Sequence, residues 1–197
     1  MATLVVPFRG AEGKSRLERL MPEARAALAH AMLADVVDAC LAIGPTLVVA
    51  PVGTPVAEAI FVADPGGGQG AAVQLGLDTA VAVGGGAPYL VVNADLACVT
   101  ARDLLALAGA VPEGGLALAA AADGTTNALA FASPDLFTSL YGPGSAARFA
   151  ALAPSRFLDA PNLVDDVDTV ADLERLAGRI RPRTGAVLAT LRLGAAA

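Results

Sequence analysis

The fold is decided by two adjoining stretches, Thr3-Leu4-Val5-Val6-Pro7 and then Phe8-Arg9-Gly10-Ala11-Glu12-Gly13-Lys14-Ser15-Arg16-Leu17-Glu18-Arg19. The first is a short apolar run rich in β-branched residues, typical of a strand buried on both faces. The second contains four of the chain's 13 Lys and Arg residues. Open α/β sheets bind ligands at the carboxyl ends of their parallel strands, so the second stretch predicts an anion site. A solvated turn that leads into a helix is the alternative.

The rest of the chain alternates short β-branched runs with longer alanine-rich segments. In the first long segment Leu28, Met32, Val36 and Cys40 recur every four residues, as on one face of a helix. The other predicted helices cover 70–83, 101–110, 145–153, 170–177 and 184–193. The predicted strands are Thr3–Pro7, Thr46–Ala50, Ala59–Ala63, Tyr89–Asn93, Leu116–Ala121, Asn127–Ala132 and a short one near 156–158. This alternation predicts an α/β fold with a mostly parallel sheet covered on both faces.

The composition limits the classes of function. The chain has 197 residues and a net charge of −6, which argues against a general binder of nucleic acid or of anionic membranes. Its uncharged stretches are interrupted by proline and glycine, so none predicts a membrane-spanning helix. Cys40 and Cys98 lack the spacing of metal ligands, and we expect a reducing cytoplasm. We predict one domain over 1–197 with a frayed tail at about 194–197, and the low charge content mildly favours a homodimer.

A glycine-rich segment, Asp64-Pro65-Gly66-Gly67-Gly68-Gln69-Gly70, lies between the third predicted strand and a predicted helix. Glycines let the backbone approach a ligand closely, and the N–H groups at the helix start point towards it. Gln69 is suited to the edge of a nucleobase or to a phosphate oxygen. A flexible structural turn is the alternative interpretation.

Three aspartates are candidate metal ligands. Asp95 follows an apolar strand, which places it at the ligand-binding edge of the sheet. Asp166 and Asp168 alternate, so in extended backbone both side chains project to one side. Two carboxylates that close repel each other unless a cation neutralises them, and we therefore expect a divalent metal such as Mg²⁺. The alternatives are a loop or N-cap role for Asp95, and a helix cap supplied by Asp168 or Thr169.

Two further turns carry small donor groups, Gly124-Thr125-Thr126-Asn127 and Gly142-Pro143-Gly144-Ser145. The second opens a predicted helix that contains Arg148, and it is suited to a carboxylate or phosphate unless Ser145 is a plain N-cap. The single histidine, His30, lies within the first helix, and we expect it to be away from these loops in a packing or surface role. The chain offers no nucleophilic triad, so its chemistry must rest on positioning and metal electrostatics.

Six segments, in their order along the chain, resemble one known family. They are VPFRGAEGKSRL, DPGGGQGAA, NADL, GTTNALAF, GPGSAARF and DVDT. They look like the guanylyltransferases of coenzyme F420 biosynthesis, which act on 2-phospho-L-lactate or phosphoenolpyruvate, and the resemblance runs from Leu4 to about Leu176. It implies a single three-layer α/β/α nucleotidyltransferase domain, GT-A or Rossmann-like, similar to the molybdenum-cofactor guanylyltransferases. It also implies Mg²⁺-dependent transfer of GMP from GTP to the three-carbon acid, with release of pyrophosphate.

The resemblance also implies roles for residues of this chain. Residues of the first loop would neutralise the triphosphate and the leaving pyrophosphate: Arg9, Lys14 and Arg16. The 65–69 loop would contact guanosine through Gly66, Gly67, Gly68 and Gln69. Mg²⁺ would be held by Asp95, Asp166 and Asp168, with Lys14, Arg16 and Asp95 acting in catalysis. The acceptor would be bound by Thr126, Asn127, Gly142, Ser145 and Arg148.

Several alternatives stay open on the sequence alone. The sequence does not decide whether the acceptor is phosphoenolpyruvate or 2-phospho-L-lactate. It also does not decide whether Thr125 or Thr126 contacts the acceptor. A nucleotidyltransferase for a molybdopterin or sugar phosphate is a second enzyme hypothesis. A catalytically silent nucleotide-binding module is a third, although a silent copy has no need of Asp95, Asp166 and Asp168 together.

Overall fold

The computed structural model describes residues 1–10, 17 and 20–195. Its strands are β1 (Thr3–Pro7), β2 (Thr46–Ala50), β3 (Ile60–Ala63), β4 (Tyr89–Val92), β5 (Leu116–Ala120), β6 (Thr126–Phe131) and β7 (Ser155–Phe157). Its helices are α1 (Pro22–Leu41), α2 (Gln69–Ala82), α3 (Ala101–Gly109), α4 (Ser145–Ala150), α5 (Pro161–Val164), α6 (Val170–Arg175) and α7 (Pro182–Ala195).

Within these residues the strands form one seven-stranded sheet in the order β3-β2-β1-β4-β6-β5-β7. β1 pairs in parallel with β2 and β4, β2 with β3, and β5 with β7. β6 is the exception, because it runs antiparallel to both β4 and β5. The prediction of a mostly parallel sheet is therefore confirmed, and the reversed strand lies near its centre.

Helices cover both faces of the sheet, which gives the predicted three layers. Val6 and Val48 point to the face that packs against α1 and α3, and Val5 and Val49 point to the face that packs against α2 and α4. Successive residues of a strand thus point into the two apolar cores on opposite faces of the sheet. This explains why the strand sequences are apolar throughout. A third apolar cluster, which includes Met32, joins α1 to α6 and α7.

Helix α2 approaches the sheet closely because it contains a glycine at the crossing point. A Cβ atom built on Gly76 would lie 2.4 Å from Val5 Cγ1 and 3.0 Å from Val49 Cγ2. No side chain fits at that distance, so Gly76 sets the height of α2 above β1 and β2. The N-terminus of α2 is thereby held at the edge of the sheet where β1 ends.

The predicted elements all form, with ends that shift by a few residues. The short helix α5 was not predicted, since four residues are too few to show a helical period. α7 extends through Ala195, two residues into the stretch where we expected fraying. No helix in the described part of the chain combines the length and the apolar character needed to cross a membrane.

Candidate active site

The three candidate metal ligands meet at the carboxyl edge of the sheet. One carboxylate oxygen each from Asp95, Asp166 and Asp168 lies within 4.8 Å of the others. Asp95 follows β4, and the other two lie in the extended segment between α5 and α6. The backbone joins the two segments, because Val167 N–H donates to Asp95 O at 3.1 Å. The expectation that Asp166 and Asp168 project to one side is confirmed, and their partner across the gap is Asp95.

Asp165, one residue earlier, turns away from this cluster. It accepts hydrogen bonds from Arg175 Nη1, at 2.6 Å, and from Arg179 Nη2. Burial alone would raise the pKa of Asp165, but the hydrogen bonds from the two guanidinium groups outweigh it and hold that pKa below its ordinary value. The alternation of side chains along this segment therefore directs Asp165 towards Arg175 and Arg179 and the next two aspartates towards the site.

The cap of helix α6 is supplied by Thr169. Its hydroxyl accepts from Asp172 N–H at 3.3 Å, while Asp172 Oδ2 accepts from Thr169 N–H at 2.8 Å. This reciprocal pair is a capping box. Of the two candidates for the helix cap, the structure selects Thr169, and the Asp168 carboxylate faces Asp95 and Asp166 instead.

A cleft of about 190 Å³ opens beside the carboxylates. One wall comes from the residues that end β1 and begin the loop after it, and another from α1. The opposite side comes from the start of α2 and from the end of β4. Its lining residues are Pro7, Phe8, Arg9, Gly10, Ala29, Met32, Gln69, Asn93, Ala94, Asp95 and Asp168. The cleft thus joins the predicted anion loop, the glycine-rich segment and two of the three aspartates.

The glycine-rich segment forms a loop with backbone dihedrals that other residues rarely adopt. Gly66, Gly67 and Gly68 have φ values of +78°, +83° and +91°. A Cβ atom built on Gly68 would lie 3.7 Å from Arg9 Nη2, so the Arg9 guanidinium lies close to this loop. The first loop and the glycine-rich loop therefore approach each other at Arg9, which also lines the cleft. The other cations predicted in the first loop, Lys14 and Arg16, lie outside the described residues.

A chain of hydrogen bonds runs from the glycine-rich segment to β6. Gln69 Nε2 donates to Asn93 Oδ1 at 2.8 Å, and Asn93 Nδ2 donates to Thr126 O at 3.1 Å. Asn93 belongs to the NADL segment, and reasoning from the sequence assigned it no role. Its contribution depends on contacts with the start of α2 and with the backbone of β6, which a single sequence does not show.

The predicted acceptor residues gather at the start of β6 and of α4. The hydroxyls of Thr126 and Ser145 lie 3.0 Å apart and both residues are buried, so they bond to each other. Asn127 Nδ2 donates to Val164 O at 2.9 Å, which ties β6 to the end of α5. Thr125 instead donates its hydroxyl to Asp123 Oδ1 at 2.6 Å. The two threonines thus face different surroundings.

Arg148 has partners that the sequence did not suggest. Its Nη1 donates to Pro143 O at 2.6 Å and its Nη2 donates to Leu140 O at 2.8 Å, with Tyr141 O and Gly142 O at longer range. The guanidinium therefore fixes the loop that precedes α4, whose Gly142 has a φ of +109°. Contact of the predicted acceptor residues with an acceptor stays a prediction, and none of the five lines the cleft: Thr126, Asn127, Gly142, Ser145 and Arg148.

His30 lies closer to the site than we expected. Its ring centroid is 5.6 Å from that of Phe8, the first residue after β1, and Phe8 lines the cleft. The packing role is confirmed, but the expected separation of His30 from the loops is wrong. The rotation of α1 about its axis decides this contact, and a four-residue period fixes that rotation only coarsely.

Curated relatives identify the family. The chain is 39% identical over 191 residues to the phosphoenolpyruvate guanylyltransferase of Sphaerobacter thermophilus, with 88% of this chain and 91% of the relative covered. It is 34% identical over 197 residues to the 2-phospho-L-lactate guanylyltransferase of Natrialba magadii, with 86% and 80% covered. The chain belongs to this guanylyltransferase family. It is accordingly a nucleotidyltransferase, and the names of its relatives do not favour a molybdopterin or sugar-phosphate acceptor.

Solved structures agree with this assignment at the level of the fold. A nucleotidyl transferase from a Methanothermobacter species matches with a TM-score of 0.62 at 15% identity, covering 89% of this chain and 95% of that one. The 2-C-methyl-D-erythritol 4-phosphate cytidylyltransferase of Thermus thermophilus matches with a TM-score of 0.59 at 15% identity, covering 89% and 97%. No protein-family model matches the chain. This chain and the cytidylyltransferase therefore share one α/β architecture.

Proposed function

We propose that this enzyme transfers GMP from GTP to phosphoenolpyruvate or 2-phospho-L-lactate and releases pyrophosphate, as a step of coenzyme F420 biosynthesis. The observation that carries the proposal is the convergence of Asp95, Asp166 and Asp168 beside the cleft. Both substrates are polyanions, and an acidic chain must overcome their repulsion to bring them together. The names of the relatives supply the chemical identity of the substrates.

The metal in this proposal is Mg²⁺, held by Asp95, Asp166 and Asp168. Three carboxylates within 4.8 Å of one another are a donor set of hard oxygens, which suits Mg²⁺ and not a softer metal. Bound there, Mg²⁺ would neutralise phosphate charge and polarise the phosphate under attack. The protein's contribution is to hold the carboxylates, which it does through the Thr169 cap and the bond from Val167 N–H to Asp95 O.

The nucleotide would occupy the cleft between the first loop and the glycine-rich segment. Arg9, which lies close to Gly68, would meet the triphosphate where both loops approach it. Lys14 and Arg16 are proposed to neutralise the triphosphate and the leaving pyrophosphate. The N-terminus of α2, which begins at Gln69, adds its partial positive charge at the same place.

The acceptor would bind on the β6 side, near Thr126, Asn127 and Ser145. Its phosphate oxygen attacks the α-phosphorus of GTP and forms a new P–O bond. The bond between the α-phosphorus and the bridging oxygen breaks, and pyrophosphate leaves with the electron pair. The attacking phosphate oxygen is already ionised at neutral pH, so the enzyme needs no general base and works by positioning and charge.

The test is pyrophosphate release from the purified protein with Mg²⁺. GTP, ATP, CTP and UTP are each paired with phosphoenolpyruvate, 2-phospho-L-lactate, a sugar phosphate and no acceptor. Release with GTP and one of the three-carbon acids is expected, and the product mass identifies the guanylylated acid. No release with GTP and either acid would refute the proposal. A cytoplasmic location and a homodimer stay predictions from composition, and sedimentation velocity would test the second.

A further inference from the structure

The hydrogen bonds around Asn93 fix which way two amide side chains face. The backbone oxygen of Thr126 only accepts, so Asn93 must turn its Nδ2 towards it, and the distance is 3.1 Å. Asn93 Oδ1 then faces Gln69, and because an oxygen only accepts, Gln69 must supply Nε2, at 2.8 Å. Neither amide can flip end for end without placing like groups against each other. The Gln69 Oε1 atom is thereby assigned to the side away from Asn93.

Gln69 is placed where a nucleobase would be recognised. It is the first residue of α2, directly after three glycines with positive φ, and both Gln69 and Asn93 line the cleft. Gln69 is half-buried. Because only one of its two Nε2–H groups is donated to Asn93, its amide keeps the second N–H and the Oε1 lone pairs for a ligand. A neighbouring N–H and C=O match the edge of a base, whereas a phosphate oxygen would use only the N–H and leave Oε1 without a donor.

We propose that Gln69 determines the preference for guanine over adenine, and that Asn93 is the positioning residue that locks its amide. The inference rests on the proposed function, which makes GTP the donor. On its Watson–Crick edge guanine presents an acceptor, O6, beside a donor, N1–H, whereas adenine presents a donor beside an acceptor. An amide free to flip pairs with either edge. An amide held in one orientation pairs with the edge of one base. Against the edge of the other base it places donor against donor and acceptor against acceptor.

The same chain of bonds reaches the acceptor side. Thr126, whose carbonyl orients Asn93, has its hydroxyl bonded to Ser145 and stands at the start of β6. The base-reading amide and the proposed acceptor residues therefore share one rigid frame. The preference for the base should accordingly be the same whichever three-carbon acid is present.

The experiment compares GTP with ATP in wild type and in Asn93→Ala, by kcat/KM and by calorimetric binding of the two nucleotides with Mg²⁺. Asn93→Ala frees the Gln69 amide, so the GTP:ATP ratio should fall about tenfold or more, mainly through a gain for ATP. Gln69→Leu removes the amide that reads the base and should lower the ratio at least as far. Gln74→Ala is the matched control, since Gln74 is an exposed amide on the same helix that bonds only to Asp78 among the described contacts.

The outcomes separate this inference from the proposed function. A wild type that releases no pyrophosphate from GTP would refute the proposed function, and the binding ratio would still test the lock. A GTP:ATP ratio that Asn93→Ala leaves unchanged, or an equal loss for both nucleotides with an unchanged melting temperature, would overturn the inference. A lower ratio in Asn93→Ala and in Gln69→Leu, with the ratio retained in Gln74→Ala, would support it.

Discussion

Asp165 and Asp166 are neighbours in the chain, yet they belong to two clusters with opposite electrostatics. Asp165 lies between the guanidinium groups of Arg175 and Arg179, so its charge is balanced within the fold. Asp166 faces two other carboxylates within 4.8 Å. The first arrangement balances a carboxylate with arginine, and the second gathers like charges, whose mutual repulsion a bound cation would relieve. The carboxylates that the fold gathers beside the cleft are therefore the ones to assign to chemistry.

The largest effect on activity is expected from neutralising a carboxylate of the cluster formed by Asp95, Asp166 and Asp168. Asp166→Asn and Asp168→Asn should each lower the rate of GTP-dependent pyrophosphate release by about a thousandfold or more, because a metal supplies several kcal/mol of transition-state stabilisation. Thermal melts in the absence of metal should show that both variants still unfold cooperatively. Mg²⁺ should raise the Tm of the wild type and not of the variants. Turnover within tenfold of wild type would contradict the metal assignment.

A smaller effect is expected where the two clusters meet, at the cap of α6. Thr169→Ala removes the hydroxyl that accepts from Asp172 N–H and should lower the free energy of unfolding by about 1 kcal/mol. Asp168 directly precedes the cap, so kcat should also fall, by about fivefold, as the carboxylate loses its fixed position. Denaturant titration and steady-state kinetics measure the two effects, and Thr169→Ser should restore both. Loss of stability with kcat unchanged would show that the cap does not position Asp168.

The matching change in the ion-paired cluster should affect stability alone. Asp165→Asn removes two partly exposed ion pairs, and a loss of about 1 kcal/mol in the free energy of unfolding is expected. For a chain of this size that corresponds to a fall of about 3 °C in Tm. The kcat should stay within about twofold of wild type. A large loss of turnover in Asp165→Asn would mean that the two clusters are not independent.

The smallest effect is on the difference in the free energy of unfolding between wild type and Asp165→Asn, which should depend on pH. The hydrogen bonds from Arg179 and Arg175 outweigh burial, which alone would raise the pKa of Asp165, and hold it below the unfolded value. A carboxylate with a lowered folded pKa contributes its full stability above the unfolded pKa, near 3.9, and loses it as pH falls through the folded pKa. The difference between wild type and Asp165→Asn should therefore be constant above about pH 5 and vanish in strong acid. Urea titrations from pH 3 to 7 would check this, and a difference that grows in acid would contradict it.

The sequence predicted the strands and the facing aspartates because both depend on local periodicity. β1 and β2 form over the predicted residues, since apolar β-branched runs have few other ways to be buried. Asp166 and Asp168 share one side because backbone alternation fixes it. The position of Asp95 across from them required the parallel topology, which the alternation of strands and helices predicted.

Contacts between elements distant in the chain were not predictable. The reversal of β6 follows from the turn that joins it to β5, and the apolar sequence of β6 suits either direction. The contact of His30 with Phe8 depends on the rotation of α1. The bonds of Arg148 depend on the path of the loop that it closes. In each case the deciding quantity is the relative placement of two elements, which residue spacing does not encode.

The reversal of β6 decides which of its ends enters the site. A strand parallel to β4 would bring to this edge the residues that follow it, as β4 brings Asp95. β6 instead brings the residues that precede it, so the hairpin turn at 121–125 lies at the edge where the cleft opens. Among the connections that the structure describes, that turn alone joins two neighbouring antiparallel strands directly. Its length can therefore change without altering strand order, which makes it the natural place to resize the proposed acceptor site.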